Sequence, residues 1–177
     1  MATEKTMTSE TVFHGKIINV RRDDVLLPDG RPGTREVVGS ADAVAVVAVT
    51  ENREVLMVSQ YRYPAGKEML EIPAGKIEPG EQALECAQRE LEEETGYRAG
   101  NWRDLYRFYT SPGFCTEQIH LYLAYDLTAH NQNPDQDEFI EVIKIPLEKA
   151  LQMVESNEIC DAKTITGLLA AVRYIEK

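Results

Sequence analysis

The stretch Gly75–Tyr97, GKIEPGEQALECAQRELEEETGY, carries seven glutamates in twenty-three residues, three of them consecutive at Glu92-Glu93-Glu94. Like charges at helical spacing repel and weaken a helix. The run therefore needs either full solvation or a cation among the carboxylates. Pro79-Gly80 ends the preceding loop, and Gly96 stands where a left-handed cap would fall, which predicts a helix over Glu81 to Thr95. On a wheel of about 100° per residue, Leu84, Ala87 and Leu91 form one apolar wedge. Glu90 and Glu94 stand i,i+4 with Glu93 beside them, and the small residues Ala83 and Cys86 share that sector. Glu85 and Glu92 fall on the solvent side.

A helix that simply exposes its charge is the plainer reading of such a composition. Three features favour the other. The acids Glu90, Glu93 and Glu94 border the apolar wedge instead of standing opposite it. The glycine-bearing loop PAGKIEPG precedes the helix and brings backbone carbonyls close. Arg89 is placed to tie down a neighbouring carboxylate. Hard oxygen donors gathered in this way suit Mg²⁺ or Mn²⁺.

Outward from this stretch the chain reads as strands followed by helices. AVAVVAVT (Ala43–Thr50) is the continuous β-branched run of a strand buried on both faces. EVLMVSQYRY, LEIPAG, DLYRFYT, QIHLYLAYDL and FIEVIKI read as further strands. Two amphipathic helices close the chain, the first on Leu147, Ala150, Leu151 and Val154. The second rests on Ile165, Leu168, Leu169, Val172 and Ile175, with Asp161 as its N-cap. Near the N-terminus, β-prone pieces flank the turn-rich PDGRPG, which predicts a small antiparallel meander too slight to stand alone. Residues 1–10 read as a loosely held tail. The expected organisation is residues 1–40 as N-terminal strands and 41–177 as an α/β (α+β) domain.

Bulk properties narrow the functional classes. With 177 residues the chain suits one well-buried core. A net charge of −11 argues against nucleic acid or an anionic membrane as partner, but not against a small anion bridged by metal. The three cysteines show no metal-ligand spacing and fit a reducing, cytoplasmic setting. No signal peptide or membrane-spanning run is expected.

At every fixed position the opening stretch resembles the Nudix box, G-x5-E-x7-R-E-U-x-E-E-x-G-U. Gly75, Glu81, Arg89, Glu90, Leu91, Glu93, Glu94 and Gly96 fill its places, and Tyr97 takes the last apolar one. The resemblance implies a Nudix hydrolase: an α/β/α sandwich with a mixed central sheet that cleaves nucleoside diphosphates linked to another moiety. Pro112 in SPGFCTE, fifteen positions beyond Tyr97, resembles the mark of the ADP-ribose pyrophosphatase subfamily. FHGKIINV, TREVV, QYRYP and LEIPAGK match that subfamily in order and spacing. The implied reaction is metal-dependent hydrolysis of ADP-ribose to AMP and ribose 5-phosphate. The implied assembly is a homodimer that shares its N-terminal strands and substrate site.

By position, the resemblance makes Glu90, Glu93 and Glu94 metal-binding, with the Ala74 carbonyl as a further ligand. Arg35 and Glu36 become adenosine-side contacts, Ile17 lies against adenine, and Arg62 meets the pyrophosphate or ribose. Ser111, Gly113 and Glu117 fall on the terminal-ribose side. In the acidic loop NPDQDEF the family places a catalytic or metal-binding acid. Gln136 cannot take a proton, which leaves Glu138 as the base and as a further metal ligand, with Asp137 in reserve and Glu93 in competition for the base. Rival readings are a Nudix pyrophosphatase for nucleotide sugars, NADH or dinucleoside polyphosphates, and a non-catalytic ADP-ribose sensor.

Overall fold

The strand β4, Ala43–Ala48, is buried along its whole length. Its alternate residues feed two separate cores, because successive side chains point to opposite faces. Ala43, Ala45 and Val47 pack with Leu168, Ala170 and Ala171 of helix α3, Ala162–Ile175. Val44, Val46 and Ala48 pack with Cys86, Ala87 and Leu91 of helix α1, Ala83–Thr95. Helices thus cover both faces of one sheet, giving the expected α/β/α sandwich. The structure, a computed structural model, describes residues 3–133 and 139–175.

That sheet is mixed and runs β7-β4-β9-β8, with β7 at Ala74–Lys76, β8 at Tyr97–Tyr109 and β9 at Gln118–Ala129. β4 pairs in parallel with β9 and antiparallel with β7. A second sheet, β10-β5-β6, joins Glu54–Arg62 (β5), Lys67–Glu71 (β6) and Glu141–Pro146 (β10), and helix α2 follows at Leu147–Glu155. The stretch LEIPAG, expected as a single strand, is split between the sheets. β6 ends at Glu71 in one and β7 begins at Ala74 in the other. Pro73 explains the break, since it has no N–H to continue a ladder; its carbonyl accepts from Val46 N at 2.9 Å. On α3 the apolar face is turned slightly from expectation. Leu169 is exposed, and Gly167 lies inward, where a Cβ would stand 2.8 Å from Val47 Cγ2.

The chain divides into two compact units, Met1–Asp42 with Tyr109–Gln118, and Ala43–Phe108 with Ile119–Lys177. In the first, β1 (Lys5–His14), β2 (Ile18–Leu26) and β3 (Pro32–Ser40) form an antiparallel meander. Residues 5–10 are therefore strand and not tail. Polar cross-strand pairs replace the missing hydrophobic signal: Thr8 Oγ1 donates to Asp24 Oδ2 at 2.8 Å, Ser9 Oγ to Asp23 Oδ1 at 2.6 Å, and Arg22 pairs with Glu10 at 2.7 Å. The segment after β8 docks on β3, where Val38 N donates to Phe114 O at 2.7 Å and Thr116 N to Val38 O at 3.0 Å. Among the described residues of this unit only Asp23 and Val25 are buried, while Met7, Val12, Phe13 and Ile17 are exposed.

Candidate active site

Helix α1 begins two residues later than its charge pattern predicts. Gln82 is the N-cap and closes a reciprocal capping box with Glu85. Glu81, just outside, accepts from Glu78 N at 2.9 Å instead of opening the helix. Gly96 ends it at φ +70°, its N–H bonded to Glu92 O at 2.8 Å. The buried stripe is Cys86, Ala87, Leu91 and Glu94, and Leu84 is exposed. The wheel places Leu84 inward with Leu91, but Leu84 stands in the exposed first turn, and the carboxylate of Glu94 takes an inward position at the other end.

Glu94 is 2% exposed, and its Oε2 accepts from the Ala74 N–H at 3.0 Å. That bond joins the last turn of α1 to the first residue of β7. Glu90 lies flat against Gly75, where a Cβ would stand 1.9 Å from the Glu90 carboxyl carbon. Only glycine leaves the space. Arg89 organises the other acids: its Nε donates to Glu81 Oε1 at 2.9 Å, and Nη1 donates to Glu90 Oε1 at 2.8 Å and Glu93 Oε2 at 3.0 Å. Its Nη2 reaches Glu81 Oε2 at 3.1 Å and the Lys76 carbonyl at 3.3 Å. These bonds hold the Glu81 carboxyl down at about 2 and the guanidinium above its ordinary range. Burial pushes the Cys86 thiol up to about 12.

The convergence expected of Glu90, Glu93 and Glu94 is only partial. Among the described residues no three His, Cys, Asp or Glu side chains meet as a metal cage. The reason lies in their partners, since Arg89 draws Glu90 and Glu93 together while the Ala74 amide holds Glu94. The donor set is nonetheless all hard oxygen, and Glu90 sits in a recess made by a missing Cβ, so a hard divalent cation fits its chemistry.

Arg62, at the end of β5, is gripped by Glu71, with Nε on Oε1 at 2.8 Å and Nη2 on Oε2 at 2.7 Å. Glu71 is 1% exposed and also takes Lys163 Nζ. Lys163 lies 3.1 Å from Asp161 Oδ2, which accepts from Thr164 N at 2.9 Å and Thr164 Oγ1 at 2.6 Å. Thr164 Oγ1 in turn accepts from Ile72 N at 2.9 Å. Burial alone would push the Glu71 carboxyl up; the Arg62 hydrogen bonds and the Lys163 charge outweigh it and hold it below its ordinary value. Sequence reading singled out Arg62 and the capping Asp161 but missed Glu71 and Lys163. The available signal was an acid inside the apolar run MLEIP.

The remaining candidates lie in the N-terminal unit. Arg35 forks onto Glu4, with Nε to Oε2 at 2.9 Å, and Glu36 stands opposite Arg22 in the β2–β3 register. Arg35, Glu36 and Gly113 line a cleft of about 630 Å³ with Asp42, Phe114 and Gln118. Ser111 O accepts from Phe114 N at 3.1 Å and Cys115 N at 2.9 Å, and Glu117 O accepts from Thr110 N at 3.2 Å, closing that loop. Ile17 is 76% exposed and borders a separate cavity with Lys16. Glu138, with Gln136 and Asp137, lies outside the described residues.

The family profile described as "NUDIX domain" matches residues 39–166. The chain belongs to the Nudix family. A second profile, "Nucleoside diphosphate sugar hydrolase N-terminal domain", matches residues 4–38. Among Nudix relatives, the ADP-ribose pyrophosphatase of Bacillus subtilis (strain 168) is 46% identical over 98% of this chain and 92% of its own length. The methanol dehydrogenase activator of Bacillus methanolicus is 44% identical over the same shares. The ADP-ribose pyrophosphatase of Mycobacterium tuberculosis (strain ATCC 25618 / H37Rv) is 38% identical over 94% of this chain and 82% of its own. The fold matches the crystal structure of an ADP compounds hydrolase with a TM-score of 0.89 at 22% identity, over 98% of this chain and 94% of that one.

Within the Nudix box the fixed positions therefore have separate physical tasks. Gly75 and Gly96 permit close approach and a left-handed cap, Arg89 gathers the acids, and Glu94 locks the helix to β7. No described helix is long and apolar enough to cross a membrane.

Proposed function

We propose that the chain is an ADP-ribose pyrophosphatase that hydrolyses the substrate to AMP and ribose 5-phosphate. The observation that carries this reading is the complete acid set packed around Ala74-Gly75, with Glu90 against Gly75 and Glu94 on the Ala74 amide. The two relatives of that name, matched over almost the whole chain, point to ADP-ribose among nucleoside diphosphates.

Glu90, Glu93, Glu94 and the Ala74 carbonyl would hold the divalent cation, Mg²⁺ or Mn²⁺. When bound it would neutralise pyrophosphate oxygens and favour attack by water. Arg62 contributes a guanidinium to the same anion. The proton of the attacking water passes to a carboxylate, for which Glu138 is the first candidate, with Asp137 in reserve and Glu93 in competition. Glu93 is 37% exposed, open enough to reach such a water. The cleft with Arg35, Glu36 and Gly113 suits the adenosine and terminal ribose, with Ser111 and Glu117 in the neighbouring loop on the ribose side and Ile17, in its separate cavity, against adenine. The exposed apolar residues Met7, Val12, Phe13 and Ile17 of the N-terminal unit suit burial against a second copy in a homodimer. Three free thiols and a net charge of −11 suit the cytoplasm and a small-molecule partner, and not nucleic acid.

Incubation with ADP-ribose and Mg²⁺ should release AMP. Glu94→Gln should lower kcat/KM by about 10- to 100-fold. Glu85→Gln should leave it unchanged, because its side chain still accepts from the Gln82 N–H. Wild-type protein without turnover, or equal losses in the two variants, would overturn the reading. NADH, nucleotide sugars and dinucleoside polyphosphates, compared by kcat/KM, decide between this substrate and its rivals. The relative named as a dehydrogenase activator makes NADH the sharpest comparison.

A further inference from the structure

We infer that Glu71 and Lys163 are positioning residues that aim Arg62 at the diphosphate of the substrate. This rests on the substrate reading above. A carboxylate 1% exposed is costly to bury unless its hydrogen bonds are complete. Glu71 meets that condition by binding two cations at once, Arg62 through both oxygens and Lys163 through Oε2.

The stoichiometry matters. One carboxylate shared between two cations fully neutralises neither, so Arg62 keeps positive character for an incoming anion. Asp161 accompanies Lys163, but two hydrogen bonds from Thr164 also draw on its Oδ2. Of the five N–H groups of a guanidinium, Arg62 spends Nε–H and one on Nη2 against Glu71. Its side chain is 39% exposed, against 2% for Glu71 and 15% for Lys163. The cluster thus has a buried anchor and an open edge. A bidentate grip fixes the plane of that edge, as a point contact does not.

The anchor is also tied to the box. Glu71 ends β6 three residues before Ala74, whose N–H holds Glu94. Glu94 itself adds to the field that keeps Arg62 charged. Between them, Ile72 N–H is held by Thr164 in the first turn of α3. Residues 71–75 therefore orient the guanidinium by a side chain and the box carboxylates by backbone, and the Asp161–Thr164 turn braces both.

A double-mutant cycle in kcat/KM for ADP-ribose tests this. Glu71→Gln should raise KM about 10- to 100-fold with a smaller change in kcat, the cost of a misaimed contact. In an Arg62→Met background the same change should cost no more than about twofold further. Lys163→Met should also raise KM, with Lys163→Arg restoring most of the loss. An equal fold-loss from Glu71→Gln in both backgrounds, or an unchanged KM, would overturn the inference. A normal KM in Arg62→Met would instead overturn the substrate role given to Arg62. Should the wild type fail to hydrolyse ADP-ribose, the same cycle read in the Kd of its α,β-methylene analogue decides the matter without turnover. Should Glu71→Gln not fold, ¹⁵N-arginine spectra of the wild type take its place. A slowly exchanging Arg62 Nε–H that shifts with the analogue supports the clamp, and a rapidly exchanging one sinks it.

Discussion

Gly75 shows how one missing atom fixes a carboxylate. A Cβ there would fall 1.9 Å from both the carboxyl carbon and Oε1 of Glu90, so Gly75→Ala must swing Glu90 out of its recess. The expected result is a loss of at least about 100-fold in kcat/KM, with a stability cost of about 1–3 kcal/mol; thermal melts beside kinetics separate the two. Glu81 makes a different, pH-dependent contribution. Its folded carboxyl sits at about 2, below the ordinary 4.5, chiefly through the Arg89 hydrogen bond. A depressed folded value stabilises the protein above the unfolded one, and the gain fades as pH falls from about 4.5 toward 2. Glu81→Gln should therefore melt lower than wild type at pH 7, and the two melting curves should draw together on acidification through that window. A difference that grows on acidification would contradict the Arg89 pairing. These residues were legible beforehand because each holds a fixed place in one short stretch. Glu71 and Lys163 were not, since they meet across |i−j| of 92 with no periodicity to announce it.

At the scale of elements, the two ends of α1 behave differently. Its start was misread because Glu81 resembles a first-turn acid, yet the loop and Arg89 claim its side chain. Its end falls where Gly96 predicts, with a second constraint that no residue pattern announces. A Cβ at Gly96 would stand 2.9 Å from Gln132 N, because the segment after β9 straps onto the last turn. His130 N donates to Gly96 O at 2.6 Å, Gln132 Nε2 to Glu94 O at 2.7 Å and Asn133 N to Glu93 O at 3.0 Å. Gly96→Ala therefore combines a left-handed strain of about 1 kcal/mol with displacement of that strap. It should lower both the melting temperature and kcat, whereas an effect confined to stability would mean that the strap does not hold Glu93 and Glu94. The break at Pro73 was hidden for a related reason. LEIPAG has the composition of one strand, and the missing N–H of Pro73 divides it only where two sheets compete for its backbone.

For the molecule as a whole, the hydrophobic periodicity that revealed β4 and the sandwich is silent in the N-terminal meander. There, ion pairs and hydroxyl–carboxylate bonds do the joining, so residues 5–10 of β1 read as a tail. With so little of that unit buried, association in solution should complete it. Sedimentation is expected to give about 40 kDa, twice the 20.0 kDa chain, and Phe13→Asp should shift the mass toward the single chain. A wild-type species at the single-chain mass would remove the dimer from the proposal. One last consequence follows from the guanidinium of Arg89, which already serves Glu81, Glu90 and Glu93. It acts as a resident counter-ion, so the repulsion noticed first in the primary structure is relieved before any bivalent ion arrives. Chelation by EDTA should then yield a silent but intact enzyme, restored by simple readdition of the ion instead of by refolding.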